Sequence, residues 1–293
     1  MKDFLTKLIK RLFDIFHLTV MKKESLFTIP IEIDLRFSGS SLTPTNVLEF
    51  KSKQRDINYI LNIPKDKIIL RKIMEVWIEM LEIRANENID LKIEERPSFL
   101  FFKNYFDTYQ PKTVMERLEL EIKSLNEHQK EYFSKPPLYT TFPWVDQSPD
   151  EEYNMYLGFM KKEFEEHHGK AYIAEDGWKG FGPASNRLIE MEYNRIINIY
   201  ESILKHGYIE KFGFPFIEIY IKDNEYKVTL EGAWHRSAIL FAIETDSIPT
   251  VLNTNTNIIN SKDVENWPQV LSKVYSKEQA LEIFNDTFSS SLK

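Results

Sequence analysis

The segment over residues 216–252 constrains the fold most, because its hydrophobic period changes from strand-like to helical and back. Residues 216–221 are rich in isoleucine and aromatic side chains, and apolar and polar residues alternate over 226–230, which predicts two strands. The Asp-Asn pair between them is a typical turn sequence, so we expect a hairpin. A helix over about 233–243 follows, and the apolar run at 248–252 predicts a third strand in the same sheet.

The rest of the chain adds helices and strands, and together these elements predict the α+β class. Helices are predicted over residues 65–85, 112–133, 151–166, 187–206 and 277–288, and strands over 25–37 and 89–102. Pro30 interrupts the first of these strands, which favours a position at the edge of a sheet.

A Gly-rich sequence, GWKGFG at residues 177–182 with Pro183 after it, is the best candidate for a domain boundary or a hinge. We therefore expect a helix at 1–20, a mixed helical and stranded lobe at 21–176 that we assign to no family, and a small α+β domain with a C-terminal helix at 177–293. Loops of this kind often carry functional residues, so this loop is also expected to close over the candidate functional site, which the sequence places at residues 231–236.

Residues 3–18 predict a basic amphipathic helix. Its apolar side chains recur at helical spacing, at Phe4, Leu5, Leu8, Ile9, Leu12, Phe13 and Phe16. Residues 1–23 hold six Lys or Arg and two Asp, a local charge of +4, in a chain whose net charge is −7. Three roles stay open: packing on the protein's own core, lying in a membrane interface, and binding a partner protein.

Composition excludes several classes of function. The chain has no cysteine, so disulfides, thiolate metal sites and thiol nucleophiles are excluded. The negative net charge disfavours general binding to nucleic acid, and we expect no DNA partner. No apolar run is long enough to span a bilayer, and the N-terminus lacks the features of a signal peptide. The expected location is the cytoplasm, with residues 3–18 as a candidate contact to a membrane surface or a protein.

The turn after the second strand of the hairpin carries the candidate chemistry. Gly232 follows an apolar strand and opens the next helix, whose first N–H groups are unpaired and favour anions. His235 and Arg236 lie in the first turn of that helix, and a guanidinium can bind phosphate through two hydrogen bonds. Glu231 ends the strand, where it can accept a proton or help to bind a hydrated cation.

The run Gly232-Ala233-Trp234-His235-Arg236-Ser237-Ala238 resembles the signature turn of the ParB/sulfiredoxin superfamily, a glycine followed closely by His-Arg or Arg-Arg and a small residue. The surrounding elements have the same order: a helix that ends at Gly207 precedes the hairpin, and an Ile-Pro strand at 248–249 follows the motif helix. The resemblance covers about residues 185–252. It implies a phosphate-binding turn for a nucleotide (ATP, ADP or CTP) with Mg²⁺.

The resemblance also implies roles for individual residues. The expected nucleotide-binding residues are Arg195, Gly232, Trp234, His235, Arg236 and Ser237, and the catalytic candidates are Glu231 and His235. Arg195 is included because residues 177–208 resemble uncharacterised relatives of the same superfamily. No set of protein ligands for a metal is predicted.

Two departures from the superfamily narrow what the resemblance implies. Trp234 stands where a sulfiredoxin has its nucleophilic cysteine, so repair of peroxiredoxins is ruled out. Only 41 residues follow Leu252, with four Lys and five Asp or Glu. That tail is too short and too acidic for the helix-turn-helix DNA reader of partition proteins.

Each candidate residue also has a purely structural explanation. His235 can hydrogen-bond a neighbouring loop, Arg236 can pair with Glu231, and Trp234 can pack against the helix instead of stacking on a base. Glu231 can simply be solvated at the end of its strand. The His pair at 167–168 follows two glutamates, but a metal site would need a third ligand, so a solvated helix end is the simpler interpretation.

The sequence thus favours a nucleotide-dependent phosphotransferase that acts on a small hydroxyl-bearing substrate. The alternative is a non-catalytic nucleotide- or anion-binding regulatory module that binds a protein or a membrane. A nuclease is disfavoured by the net charge and by the lack of an acidic cluster of metal ligands.

Overall fold

The computed structural model describes residues 31–36, 43, 57–120, 125–253 and 255–289, and the helix expected at 1–20 lies outside them. The strands are β1 (Ile31–Asp34), β2 (Ile57–Pro64), β3 (Ile68–Ile69), β4 (Gly177–Trp178), β5 (Phe181–Ala184), β6 (Phe216–Lys222), β7 (Glu225–Glu231), β8 (Ser247–Leu252) and β9 (Ile258–Asn260). The helices are α1 (Lys72–Ala85), α2 (Pro97–Thr108), α3 (Val114–Arg117), α4 (Glu127–Phe133), α5 (Pro149–Glu163), α6 (Asn186–His206), α7 (Trp234–Ala242), α8 (Pro268–Leu271) and α9 (Lys277–Ser289). The fold belongs to the α+β class, as the sequence predicts.

A mixed sheet in the order β1-β2-β8-β6-β7-β3 forms the centre of the described structure, and β9 pairs with β6 outside this path. The β6–β7 hairpin, the helix that begins two residues after Gly232, and a third strand in the same sheet are all confirmed. Of the strand expected over 25–37, the structure describes residues 31–36, which contain β1. β1 lies at one end of the described strand order, which agrees with the expected edge position.

The β6–β7 hairpin has one apolar face and one polar face, because its residues alternate. The apolar face consists of Ile217, Ile219, Ile221, Val228 and Leu230, each at most 4% exposed and part of the main core. The register pairs Glu218 with Thr229, so these residues share the opposite face with Tyr220 and Glu231. The sheet therefore presents ionisable groups on one side while it supports the core with the other.

The main core and the sheet both continue across the boundary expected at Gly177. β2, which precedes it, pairs with β8, which follows it, from Tyr59–Leu252 to Pro64–Ser247. The same core joins Trp77 of α1 to residues of α6 and α7. The division at Gly177 therefore does not separate two hydrophobic cores.

The Gly-rich loop at 177–182 forms the β4–β5 hairpin and packs tightly against α2. A Cβ atom on Gly182 would lie 1.8 Å from the carbonyl oxygen of Phe106, so only glycine fits this contact. The Gly182 amide donates to the carbonyl of Tyr109 at 2.9 Å, and the Tyr105 hydroxyl donates to the carbonyl of Gly180 at 2.7 Å. These contacts anchor the loop to a core helix.

Two predictions of secondary structure before this loop are wrong. The strand expected over 89–102 is instead a 3₁₀ turn followed by α2, whose first residue is Pro97. Proline is favoured at the first helical position, and the aromatic spacing from Phe99 to Phe106 is helical. The helix expected over 112–133 is interrupted after α3, where Glu119 has a φ of +53°. The next helix among the described residues is α4.

The helix expected over 65–85 begins late, because residues 65–67 form a 3₁₀ turn and β3 follows before α1. No described helix combines the length and the apolar character that crossing a bilayer requires.

Candidate functional site

Two cavities meet at the end of β7. The turn cavity, of about 1140 Å³, is lined by residues 231–236, by one face of α6 and by Lys179. The sheet-face cavity, of about 1030 Å³, lies on the polar face of β6 and β7. Glu231 and Trp234 line both cavities, so they stand at the junction.

The backbone before α7 adopts an unusual conformation. Gly232 and Ala233 have φ values of +74° and +48°, in the left-handed region that glycine adopts at no steric cost. Ala233 is the N-cap of α7, and no side chain caps this helix. Its first turn lines the turn cavity, and a Cβ atom at position 232 would contact nothing within 4 Å. The helix thus offers an anion-favouring terminus to open space.

His235 is only 7% exposed and forms a buried hydrogen-bonded pair. Its Nε2 lies 3.0 Å from Oε2 of Glu192 on α6, and its ring lies 4.3 Å from that of Trp77, centroid to centroid. Burial lowers the pKa of His235, although the Glu192 carboxylate works in the opposite direction. The sequence analysis left open whether His235 contacts a ligand or hydrogen-bonds a neighbouring loop. The structure shows a hydrogen bond, and its partner is Glu192 of α6 instead of a loop.

We expect His235 to make the folded protein less stable as the pH falls through the histidine range. An unfolded His takes up a proton near pH 6.5, whereas the folded side chain, with its lowered pKa, resists protonation. The lost stability is at most about 1.4 kcal/mol per pH unit for one proton. Urea unfolding between about pH 8 and pH 5.5 measures this dependence.

The matched variant for this measurement is His235→Gln, which keeps a donor for Glu192 but does not titrate. The buried carboxyl groups with raised pKa act in the opposite direction, and they contribute equally in both proteins. The same pH slope in wild type and variant would show that His235 does not account for it.

Arg195 and Lys179 share one buried carboxylate in the wall of the turn cavity. Nζ of Lys179, a residue only 5% exposed, lies 2.7 Å from Oε2 of Glu163, and Arg195 pairs with the other oxygen of Glu163. Burial alone would raise the pKa of Glu163, but the two cations hold it below its usual value. Arg195 therefore lies in the expected site with its guanidinium already engaged.

Arg236 and Ser237 have different environments although they are adjacent. Arg236 donates to the carbonyl of Gly213 at 2.9 Å and lies over the Tyr208 ring, and within the described chain it forms no ion pair. The pairing with Glu231 that the sequence left open is therefore absent. Ser237 is 1% exposed, donates to the carbonyl of Ala233 at 3.2 Å, and lines neither cavity.

Glu231 is bound by an arginine from a distant part of the sequence. Nη2 of Arg71 lies 2.6 Å from Oε1 of Glu231, and the Arg71 guanidinium lies 4.5 Å from the centroid of the Trp234 ring. Trp234 donates from Nε1 to the carbonyl of Leu230 at 2.7 Å, and its ring also contacts Lys179. Trp234 is thus held in place by protein contacts, and its ring lies next to the Arg71 and Lys179 side chains at the junction of the two cavities.

The sheet-face cavity contains two acids that the sequence analysis missed, the buried Glu152 and the half-buried Glu218. Glu218 on β6 accepts a hydrogen bond from Asn257 at 2.8 Å. Burial raises its pKa, and the Glu231 carboxylate raises it further. Burial likewise raises the pKa of Glu152 on α5. Arg117 lines the same cavity, donates to a backbone carbonyl at 2.7 Å and makes no ion pair with a described residue.

The isoleucines at alternate positions of β6 (217, 219 and 221) were a signal that could have placed Glu218 on the polar face. The positions of Arg71, Arg117 and Glu152 had no such signal, because each comes from a different helix or helix end. Within the described residues, no group of three His, Asp or Glu side chains is placed to hold a metal ion. His167 lines the turn cavity.

Comparison of the chain with models of protein families, with curated proteins and with solved structures found no match in any of the three. The resemblance of residues 185–252 to the ParB/sulfiredoxin superfamily therefore stays a prediction, although its elements occur in the expected order.

Proposed function

We propose that the protein is a nucleotide-dependent phosphotransferase that acts on a small hydroxyl-bearing substrate. The observation that carries this proposal is the position of Glu231, a carboxylate that lines two adjoining cavities. A transferase needs one binding place for the nucleotide and a second for the acceptor, with a proton-accepting group between them.

In this proposal the turn cavity holds the nucleotide. Its phosphates lie at the first turn of α7, where the helix terminus favours negative charge and Arg236 has no carboxylate partner among the described residues. His235 is a positioning residue, because its ring nitrogen is bonded to Glu192. Arg195 and Lys179 contribute positive potential but remain paired with Glu163.

The acceptor occupies the sheet-face cavity and presents its hydroxyl to Glu231. The hydroxyl oxygen attacks the terminal phosphorus while the bond from that phosphorus to the bridging oxygen breaks. The hydroxyl proton passes to Glu231, and the nucleoside diphosphate leaves with the electron pair of the broken bond. Arg71 holds the Glu231 carboxylate in a fixed orientation at 2.6 Å throughout.

Mg²⁺ fits this site only as an ion that arrives with the nucleotide. The described residues offer no three-ligand cluster, but Mg²⁺ usually binds phosphates and waters with one or two carboxylates. The ion would neutralise phosphate charge and would keep water molecules as its other ligands.

Replacing Arg236 by Ala is expected to weaken nucleotide binding about ten- to hundredfold, because a charge-assisted hydrogen bond to phosphate is lost. Arg236→Lys should recover only part of the affinity, since an ammonium keeps the charge but cannot donate two parallel hydrogen bonds as the planar guanidinium does. Calorimetry with ATP, ADP and CTP, with and without Mg²⁺, measures both effects.

The matched control is Lys211→Ala, which removes an exposed cation that lines neither cavity. Circular dichroism must show that every variant is folded. If folded Arg236→Ala binds as wild type does, or wild type binds no nucleotide at millimolar concentration, the nucleotide site is wrong.

A non-catalytic nucleotide-binding module is the second candidate. It is favoured by three large apolar side chains at the turn cavity, Met155, Phe159 and Phe212, which are 51%, 40% and 62% exposed and would suit a protein or membrane partner. Nucleotide binding without turnover would favour this candidate. In either case we propose a cytoplasmic location.

A further inference from the structure

The wall of the turn cavity that α6 forms carries a row of uncharged polar side chains. Asn194, Asn198 and Ser202 all line this cavity and lie four residues apart, so they share one face of the helix. The row extends over roughly 12 Å, from the rise per residue of an α-helix. These side chains are exposed and form no hydrogen bond with the described part of the chain.

Apolar side chains flank this row on the same wall. Met191, Ile199 and Ile203 also line the turn cavity: Met191 and Ile199 each lie three residues from a polar position, and Ile203 follows Ser202 directly. The one charged residue of α6 that lines the cavity, Arg195, is paired with Glu163. The wall therefore combines amide and hydroxyl groups with apolar surface and carries little free charge.

This combination suits the uncharged part of a nucleotide. Carboxamides both donate and accept hydrogen bonds, as the edge of a base and the hydroxyls of a ribose require, and the apolar side chains can cover the face of the base. Phosphates, in contrast, favour charged donors and helix termini, which the Gly232–Arg236 turn provides in the same cavity.

We propose that the row Asn194, Asn198 and Ser202 binds the nucleoside part of the nucleotide and sets the preference between bases. This inference rests on the proposed function, because it assumes that the phosphates bind at the α7 terminus. It gives the ligand one direction in the cavity, with its base along α6 and its phosphates at α7.

Calorimetry with ATP, CTP and inorganic tripolyphosphate tests this orientation, because tripolyphosphate has the phosphate chain without the nucleoside. The double variant Asn194→Ala/Asn198→Ala should bind the preferred nucleotide about tenfold or more weakly, from the loss of two neutral hydrogen bonds. Its affinity for tripolyphosphate should stay within about twofold of wild type. Asn186→Ala removes the same group from an exposed position of α6 that lines neither cavity, and it should change neither affinity.

The possible failures are distinguishable. Unchanged nucleotide affinity in the double variant, or an equal loss for nucleotide and tripolyphosphate, would overturn the role of α6 and leave the phosphate site standing. Wild type that binds tripolyphosphate as tightly as ATP and CTP would also overturn it, since the nucleoside would then contribute nothing. If wild type binds none of the three, the proposed function and this inference are both wrong.

Discussion

Replacing Glu231 by Gln is expected to lower the rate of phosphoryl transfer about 10²- to 10⁴-fold, the usual contribution of a general base. The amide oxygen of Gln can still accept the hydrogen bond from Arg71, so the junction between the cavities should keep its geometry. The amide cannot take the proton of the acceptor hydroxyl. Nucleotide affinity should therefore change little while turnover falls, and this separation marks a group that acts in the chemical step.

The measurement is release of ADP from ATP, and of CDP from CTP, with a panel of small hydroxyl compounds as acceptors. Glu225→Gln is the matched control, because Glu225 lies on the same strand, is exposed and lines neither cavity. A Glu231→Gln protein that turns over at the wild-type rate would remove Glu231 from the mechanism. Wild type that binds nucleotide but never releases product would favour the non-catalytic module.

The largest effect on stability is expected from Glu163→Gln, at about 3–5 kcal/mol. Glu163 and Lys179 are 7% and 5% exposed, and their pair has its charges removed from water. Without the carboxylate, the Lys179 ammonium stays buried beside the rings of Phe159 and Trp234 with no counter-charge at Glu163. An uncompensated buried charge of this kind lowers the stability of the fold, even when the hydrogen bond between Lys179 and position 163 is kept.

Urea unfolding followed by circular dichroism measures this loss. Glu166→Gln is the control, because its side chain is 56% exposed and pairs only weakly with Lys162, at 3.7 Å. That variant should stay within about 0.5 kcal/mol of wild type. Adding Lys179→Met to Glu163→Gln should restore much of the stability, since an apolar residue needs no counter-charge. If Glu163→Gln is no less stable than its control, the buried cluster contributes nothing to the fold.

The sequence predicted best where neighbouring residues decide the structure. The β6–β7 hairpin and α7 follow from a local hydrophobic period and from a glycine between strand and helix, so their bounds were close to correct. The helix at Pro97 was misread as a strand because its aromatic run is short and apolar, and the position of the proline was the better signal.

The site was predictable only in part, for the same reason. Residues 231–236 were found because they are contiguous, and five of the six expected nucleotide-binding residues line the turn cavity; Ser237 does not. Arg71 reaches Glu231 from 160 residues earlier in the chain. Glu192, which engages His235, lies 43 residues before it. Such pairs depend on the tertiary packing of α1, α6 and α7, which no local pattern in a single sequence specifies.

The pairing of β2 with β8 has a consequence for how the chain folds. The Thr250 hydroxyl donates to the carbonyl of Leu61 across 189 residues of sequence, between one of the first described strands and one of the last. During synthesis the edge of β2 that pairs with β8 therefore stays unpaired until residues 247–252 have left the ribosome. Contacts of such high order slow folding, and waiting strand edges invite aggregation. Expression at low temperature or with added chaperones should accordingly increase the yield of folded protein. A fragment that begins at Gly177 would lack β2, the strand that pairs with β8.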